Sequence, residues 1–148
     1  IRELCDQGLE FDEICERAAA YRDRMNTYFV LESLDTLKKN GRLTGLQAFF
    51  ATKLNIKPVM GADNGTIIKL DQARGIQKAL QRMAEIAVKE AGTTKDKRLV
   101  IAHCNAPERA RFMKEKLCSM AEFKEVVITD TCGVSTVYAS DGGVILAL

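Results

Sequence analysis

His103 and Cys104 stand side by side at the end of an apolar run. A thiol next to an imidazole is the raw material of a nucleophile–base pair. Neighbours on a strand point to opposite faces, so the two are poorly placed for that work. A strand-end histidine satisfied by backbone is the plainer reading, as is a thiol used as a small apolar residue, for Cys104 and for Cys132. The chain has this one histidine and five cysteines (Cys5, Cys15, Cys104, Cys118, Cys132), with no CxxC pair. A metal site would need scattered thiols without finger-like spacing, so none is expected. The odd cysteine count fits a reducing, cytoplasmic setting better than a disulfide scaffold. No P-loop, GxGxxG or GxSxG pattern occurs, which removes motif support for P-loop, Rossmann and α/β-hydrolase chemistry. No cofactor is expected.

Apolar surface beside a cation is more informative. Leu43, Leu46, Phe49, Phe50 and Leu54 lie nearly all round one short helix expected over residues 44–54, and such a helix must be covered on several sides. Core packing accounts for this. A long acyl chain lying alongside accounts for it too, with a nearby arginine to hold a carboxylate head. Charge is unevenly spread: net −3 over residues 1–26, +3 over 32–58 and +4 over 74–98. The two basic stretches are either solvated helix faces or a positive surface for an acidic ligand or protein. Few aromatics lie between those charges to stack on bases, so nucleic acid is not expected as a partner.

The elements that must position these groups follow from periodicity. At 148 residues, with 47% apolar and 28% charged residues and a net charge of +2, the chain is not of disordered type and suffices for one domain. No apolar run approaches the ~18–20 residues of a membrane helix, so no membrane insertion is expected. Residues 11–25 place Phe11, Ile14, Ala18, Tyr21 and Met25 on one face of an amphipathic helix. Residues 27–31 read as a buried strand, and a helix capped by Ser33 runs to a stop at Gly41. Residues 56–70 read as a hairpin around Asn64-Gly65, with Pro58 on an edge strand or at a strand start. A helix over 74–91 buries Ile76, Ala79, Leu80, Met83 and Ala87, and carries a basic stripe of Arg74, Lys78 and Arg82. Strand 98–103, a helix opened by Pro107 and packed through Ala110, Met113, Leu117 and Met120, and strand 125–129 form a crossover unit with parallel strands. A turn or short helix and a closing strand complete the chain. The expected class is α/β, a mixed β-sheet flanked by helices.

Four blocks carry a resemblance: YFVLESLDTLKKNGRLTGLQAFFATKLNIKPVM (28–60), KLDQARGIQKAL (69–80), LVIAHCNAPERA (99–110) and GVSTVYASDGGVILAL (133–148). In this order and spacing they resemble the DegV family from about residue 1 to 148. The resemblance implies the C-terminal domain of a two-domain bacterial cytosolic fatty-acid-binding protein, with lead-in helices over residues 1–26 and the N-terminal domain absent. A start without Met, already in helical rhythm, agrees with a piece of a longer protein. The family's role is to bind a long-chain fatty acid and present it to a fatty acid kinase subunit, without catalysing the reaction itself. Arg42 falls on the arginine of the family's GR motif and Arg74 on the first arginine of V-R-x-R. Both are implied near the carboxylate or as kinase contacts. The plainer roles are a helix-end arginine on the last carbonyls and a solvated helix start. Tyr138 falls where the family has a histidine near the head group, and its hydroxyl can donate to a carboxylate without becoming cationic. Ile76 replaces the second arginine, and Ser140 and Asp141 replace a glycine and a proline. The expected ligand-binding residues are Arg42, Arg74, Tyr138, Phe49 and Phe50. The runner-up is a small keto-sugar-binding substrate domain related to dihydroxyacetone kinase, for which His103 would have to face an open pocket.

Overall fold

The computed structural model describes residues 1–43, 55–63 and 65–148. The helix expected over 44–54, with Phe49 and Phe50, lies outside the described residues, as does Asn64. The elements are α1 (Arg2–Asp6), α2 (Phe11–Arg22), β1 (Thr27–Val30), α3 (Asp35–Lys39), β2 (Ile56–Asp63), β3 (Thr66–Arg74), α4 (Ile76–Ala91), β4 (Arg98–His103), α5 (Pro107–Met120), β5 (Glu125–Asp130), α6 (Val134–Ala139) and β6 (Val144–Ala147).

Six strands form one mixed sheet in the order β3-β2-β1-β6-β4-β5. β4 and β5, joined through α5, are parallel, and the other neighbours are antiparallel. Register decides which side chains share a face, because residues directly opposite each other point the same way. Tyr28, Leu146, Ile101 and Ile128 form one such row, and Met60, Phe29, Ile145 and Ala102 form the next. The first row faces α4 and α5, where Leu80, Met83, Ala87, Met113 and Leu117 complete the main core. The second row faces α3 and α6 and joins a smaller cluster of Leu31, Leu37, Leu43, Cys104 and Ala139. The period-2 alternation of β1 and β6 thus feeds two cores, one on each side of the sheet.

The polar end of one core residue is satisfied at the core's edge. Tyr28 is 2% exposed, and its hydroxyl donates to Glu90 Oε2 at 2.8 Å. Burial, and then the carboxylate beside it, push that hydroxyl well above the ordinary tyrosine range.

Several expectations are corrected in detail. β2 is an interior strand, not an edge; Pro58 is tolerated because β1 reaches only Met60 and Gly61, leaving Pro58 paired with β3 alone. Arg74 is not helical. It ends β3 opposite Ile56, and Gly75 at φ 82° breaks the path before α4 begins. The expected stripe of Arg74, Lys78 and Arg82 therefore does not run along one helix. Met120, in the last turn of α5, is 36% exposed, and Cys132 is exposed. The apolar face of α2 forms as a helix, yet α2 buries no residue among those described; Phe11 is 76% exposed and Tyr21 54%. No described helix is long and apolar enough to cross a membrane.

Arg82 takes a local role. Its Nε and Nη2 donate to Asp71 Oδ2 at 2.8 and 2.6 Å, and Nη1 donates to Glu85. The Gln72 backbone N–H, and then Arg82, hold the Asp71 carboxyl below the usual carboxylate range. A depressed folded pKa contributes stability above the unfolded aspartate value of ~3.9, and that contribution is lost as pH falls through the folded one. Asp71→Asn should therefore melt below the parent at neutral pH, with the gap closing under acid. A constant gap from pH 7 to pH 3 would show that this carboxylate carries none of the pH dependence.

Candidate functional site

Arg42 is placed by the way α3 ends. Ser33 Oγ accepts the Asp35 N–H at 3.1 Å ahead of the first turn, and Gly41 turns the chain with φ 67° after the last. The Gly41 N–H then donates to Lys38 O at 3.1 Å, and the Arg42 N–H donates to Leu37 O at 2.9 Å. This is the Schellman pattern, in which a glycine just past the helix closes the last carbonyls. The Asn40-Gly41-Arg42 run is thus a helix stop that presents an arginine. The backbone of Arg42 closes the turn, so its side chain is not needed for that purpose and is exposed.

Tyr138 is placed by α6, a short helix that buries only Ala139. The Thr136 hydroxyl donates to Thr131 Oγ1 at 3.0 Å across the approach to the helix. Ser140 follows it at φ 56°, a left-handed conformation uncommon outside glycine. Ser140 stands where the resemblance puts a glycine, and it keeps the backbone shape a glycine would supply.

Between these two placements lies a groove of about 530 Å³ on the second face of the sheet, within the size range of small-molecule sites. Its floor is Phe29, Leu31, Ile67 and Ile145, and its sides are α3 with Gly41-Arg42, α6 with Ser135, Tyr138 and Ala139, and the hairpin end at Gly65-Thr66. An apolar floor with an arginine and a tyrosine in its lining can take a ligand with a long apolar part and an anionic end.

The structure therefore brings Arg42 and Tyr138 to one groove. It does not bring Arg74 there. Thr66 lines the groove at one end of β3, whereas Arg74 closes the other end and is not in the groove's lining. Sequence reasoning missed Phe29, Leu31, Ile67 and Ile145. The alternation along 27–31 and 144–147 was the available signal, but it cannot say which face is left partly open.

His103 serves neither reading that needed it in a pocket. It is 6% exposed and opposite Val144, on the face covered by α4 and α5. Its Nδ1 accepts the Ala106 N–H at 3.3 Å, and Asp130 Oδ1 is 3.4 Å away. Cys104 packs in the smaller cluster on the other face, so the two are not a nucleophile–base pair. Among the described residues, no group of three His, Cys, Asp or Glu could hold a metal ion.

The chain and its fold have counterparts in known proteins. A crystal structure of a DegV family protein from Ruminococcus gnavus, refined with vaccenic acid, is 45% identical with a TM-score of 0.94, covering 99% of this chain and 52% of that one. The Streptococcus pneumoniae fatty acid kinase (Fak) B3 protein loaded with linoleic acid is 34% identical with a TM-score of 0.84, covering 98% of this chain and 51% of that one. A DegV domain-containing protein of Streptococcus pneumoniae is 33% identical over 147 residues, covering 99% of this chain and 52% of that protein. The chain thus spans about half the length of the relatives it matches. A family model described as "Uncharacterised protein, DegV family" matches residues 1–147. With that model matching nearly the whole chain, the chain belongs to the DegV family.

Proposed function

We propose that the groove is one wall of a long-chain fatty-acid site, and that this chain works as the C-terminal α/β domain of a two-domain lipid carrier. The observation that carries the proposal is an apolar floor of Phe29, Leu31, Ile67 and Ile145 with Arg42 and Tyr138 at its margin. An acyl chain gains by leaving water for such a floor, at ~25 cal/mol per Å² of apolar surface covered. Its carboxylate meets a guanidinium and a phenolic donor. The vaccenic and linoleic acids in the two neighbours supply the ligand class. Phe49 and Phe50 are proposed as further acyl contacts from the sequence alone.

The name of the second neighbour also supports a kinase partner. In this reading the domain presents the acid and leaves its phosphorylation to a fatty acid kinase subunit. Arg74, exposed and outside the groove lining, is proposed as a docking contact and not a ligand contact. Calorimetric titration of the delipidated full-length protein with oleate should give saturable 1:1 binding. Arg74→Glu should leave that binding unchanged while weakening association with the kinase subunit. No uptake of oleate, together with no fatty acid in a native mass spectrum of the purified protein, would sink the carrier reading.

A further inference from the structure

One residue outside the groove packs directly against two of the residues that line it. Gly143 is buried just before β6, next to Val144. Its φ is not among the chain's positive values, unlike that of Gly142 at 84°. An alanine backbone would therefore be unstrained at 143, and the glycine is there for space. A Cβ on Gly143 would overlap the carbonyl oxygen of Ala139 and stand 3.1 Å from Leu31 Cδ2. Ala139 and Leu31 both line the groove, one from α6 and one from the end of β1. The obstructing atom is backbone in the last turn of α6, so it cannot turn aside as a side chain can. Any side chain at 143 must push the end of α6, and Tyr138 with it, off the sheet.

Two side-chain contacts hold the same turn, beside the backbone bonds of Gly142 and Gly143 with Cys104. Arg109 Nη1 donates to Gly142 O at 2.6 Å and lies 3.2 Å from Glu32 Oε2, in the link between β1 and α3. Asn105 Nδ2 donates to Asp141 Oδ1 at 2.8 Å. The turn is thus fixed to the framework on its outer side, and Gly143 sets how closely α6 approaches on the inner side.

We propose that Gly143 is a specificity-determining residue: the absence of a side chain there sets the groove to the width of an unbranched acyl chain. This rests on the fatty-acid reading of the groove. Dispersion contact falls steeply with separation, and a gap of about 0.5–1 Å already forfeits a quarter to a half of each contact. Widening the groove therefore weakens a thin chain and relieves a thick one.

Titration of the delipidated full-length protein with palmitate and with a mid-chain methyl-branched acid of equal carbon number tests this. The parent should prefer palmitate by about tenfold. Gly143→Ala should weaken palmitate and cut that preference at least threefold. Leu80→Ala is the control for general destabilisation. Leu80 is 1% exposed in the core on the opposite face of the sheet, so its truncation should lower the melting temperature while keeping the preference. Equal affinity of the parent for the two acids overturns the proposal even if Gly143→Ala fails to fold, and so does an unchanged ratio in a folded Gly143→Ala. A parent that binds neither acid overturns the fatty-acid reading itself, and the width proposal with it.

Discussion

Arg42→Ala is expected to weaken oleate binding by about tenfold or more while leaving the melting temperature within about 2 °C of the parent. Hydrogen bonds to charged groups contribute ~1.5–3 kcal/mol, which corresponds to about 10- to 100-fold in affinity. Exposure of Arg42 at the groove margin places the effect toward the lower end, because solvent screens the pair. The fold should be indifferent, since α3 is closed by the backbone N–H groups of Gly41 and Arg42 and not by the arginine side chain. Arg42→Lys should recover part of the affinity but not all, since an ammonium cannot match the guanidinium fork on a carboxylate. Raising salt from 0.05 to 0.5 M should weaken the parent more than Arg42→Ala. An Arg42→Ala protein with parental affinity and parental salt dependence would remove Arg42 from the head-group site.

The largest expected loss of stability lies on the opposite face of the sheet. Leu80→Ala should cost about 2–5 kcal/mol, the range for truncating a fully buried leucine. Leu80 is 1% exposed in the main core. Against a total stability of ~5–15 kcal/mol, the expected fall in melting temperature is on the order of 10 °C. Phe11→Ala is the matched contrast. Both residues sit on the apolar side of an amphipathic helix, yet Phe11 is 76% exposed, so its truncation should stay within about 0.5 kcal/mol. Calorimetric melts of the two variants check the pair; a large loss at Phe11 would mean that α2 is packed in the full-length protein.

That contrast shows where sequence reading stops. The period-3.6 pattern identifies α2 and α4 equally well, because it reports which side chains share a face. Whether anything covers that face depends on where the helix lies. α4 packs on the sheet through Leu80 and Met83, whereas no described residue buries the Phe11 side of α2. Arg74 illustrates a boundary error of the same kind. Its helical spacing to Lys78 and Arg82 was real in the sequence, but strand pairing with Ile56 holds it in β3. His103 was readable as a backbone-satisfied strand-end residue because alternation sets it apart from Cys104.

The site was legible only in part. The glycine-arginine pair announces a helix stop with an exposed cation, and the Schellman closure at Leu37 and Lys38 bears this out. Tyr138 came from the alignment of the closing block and not from any local pattern. That Arg42 and Tyr138 line one groove depends on α3 and α6 lying over the same face of the sheet, from chain positions nearly a hundred residues apart.

By itself the sequence determined the types of the described elements, the mixed α/β class, the helix stop at Gly41 and the family, because all of these rest on local spacing and on the order of motifs. Tertiary structure alone decided which face of the sheet stays partly open, which arginine lines the groove, and that a side chain at Gly143 would crowd the end of α6. The physical reason is that these depend on contacts between distant segments: the register of β1 against β6, and the approach of α6 to the end of β1. No local pattern of residues encodes a distance between two elements.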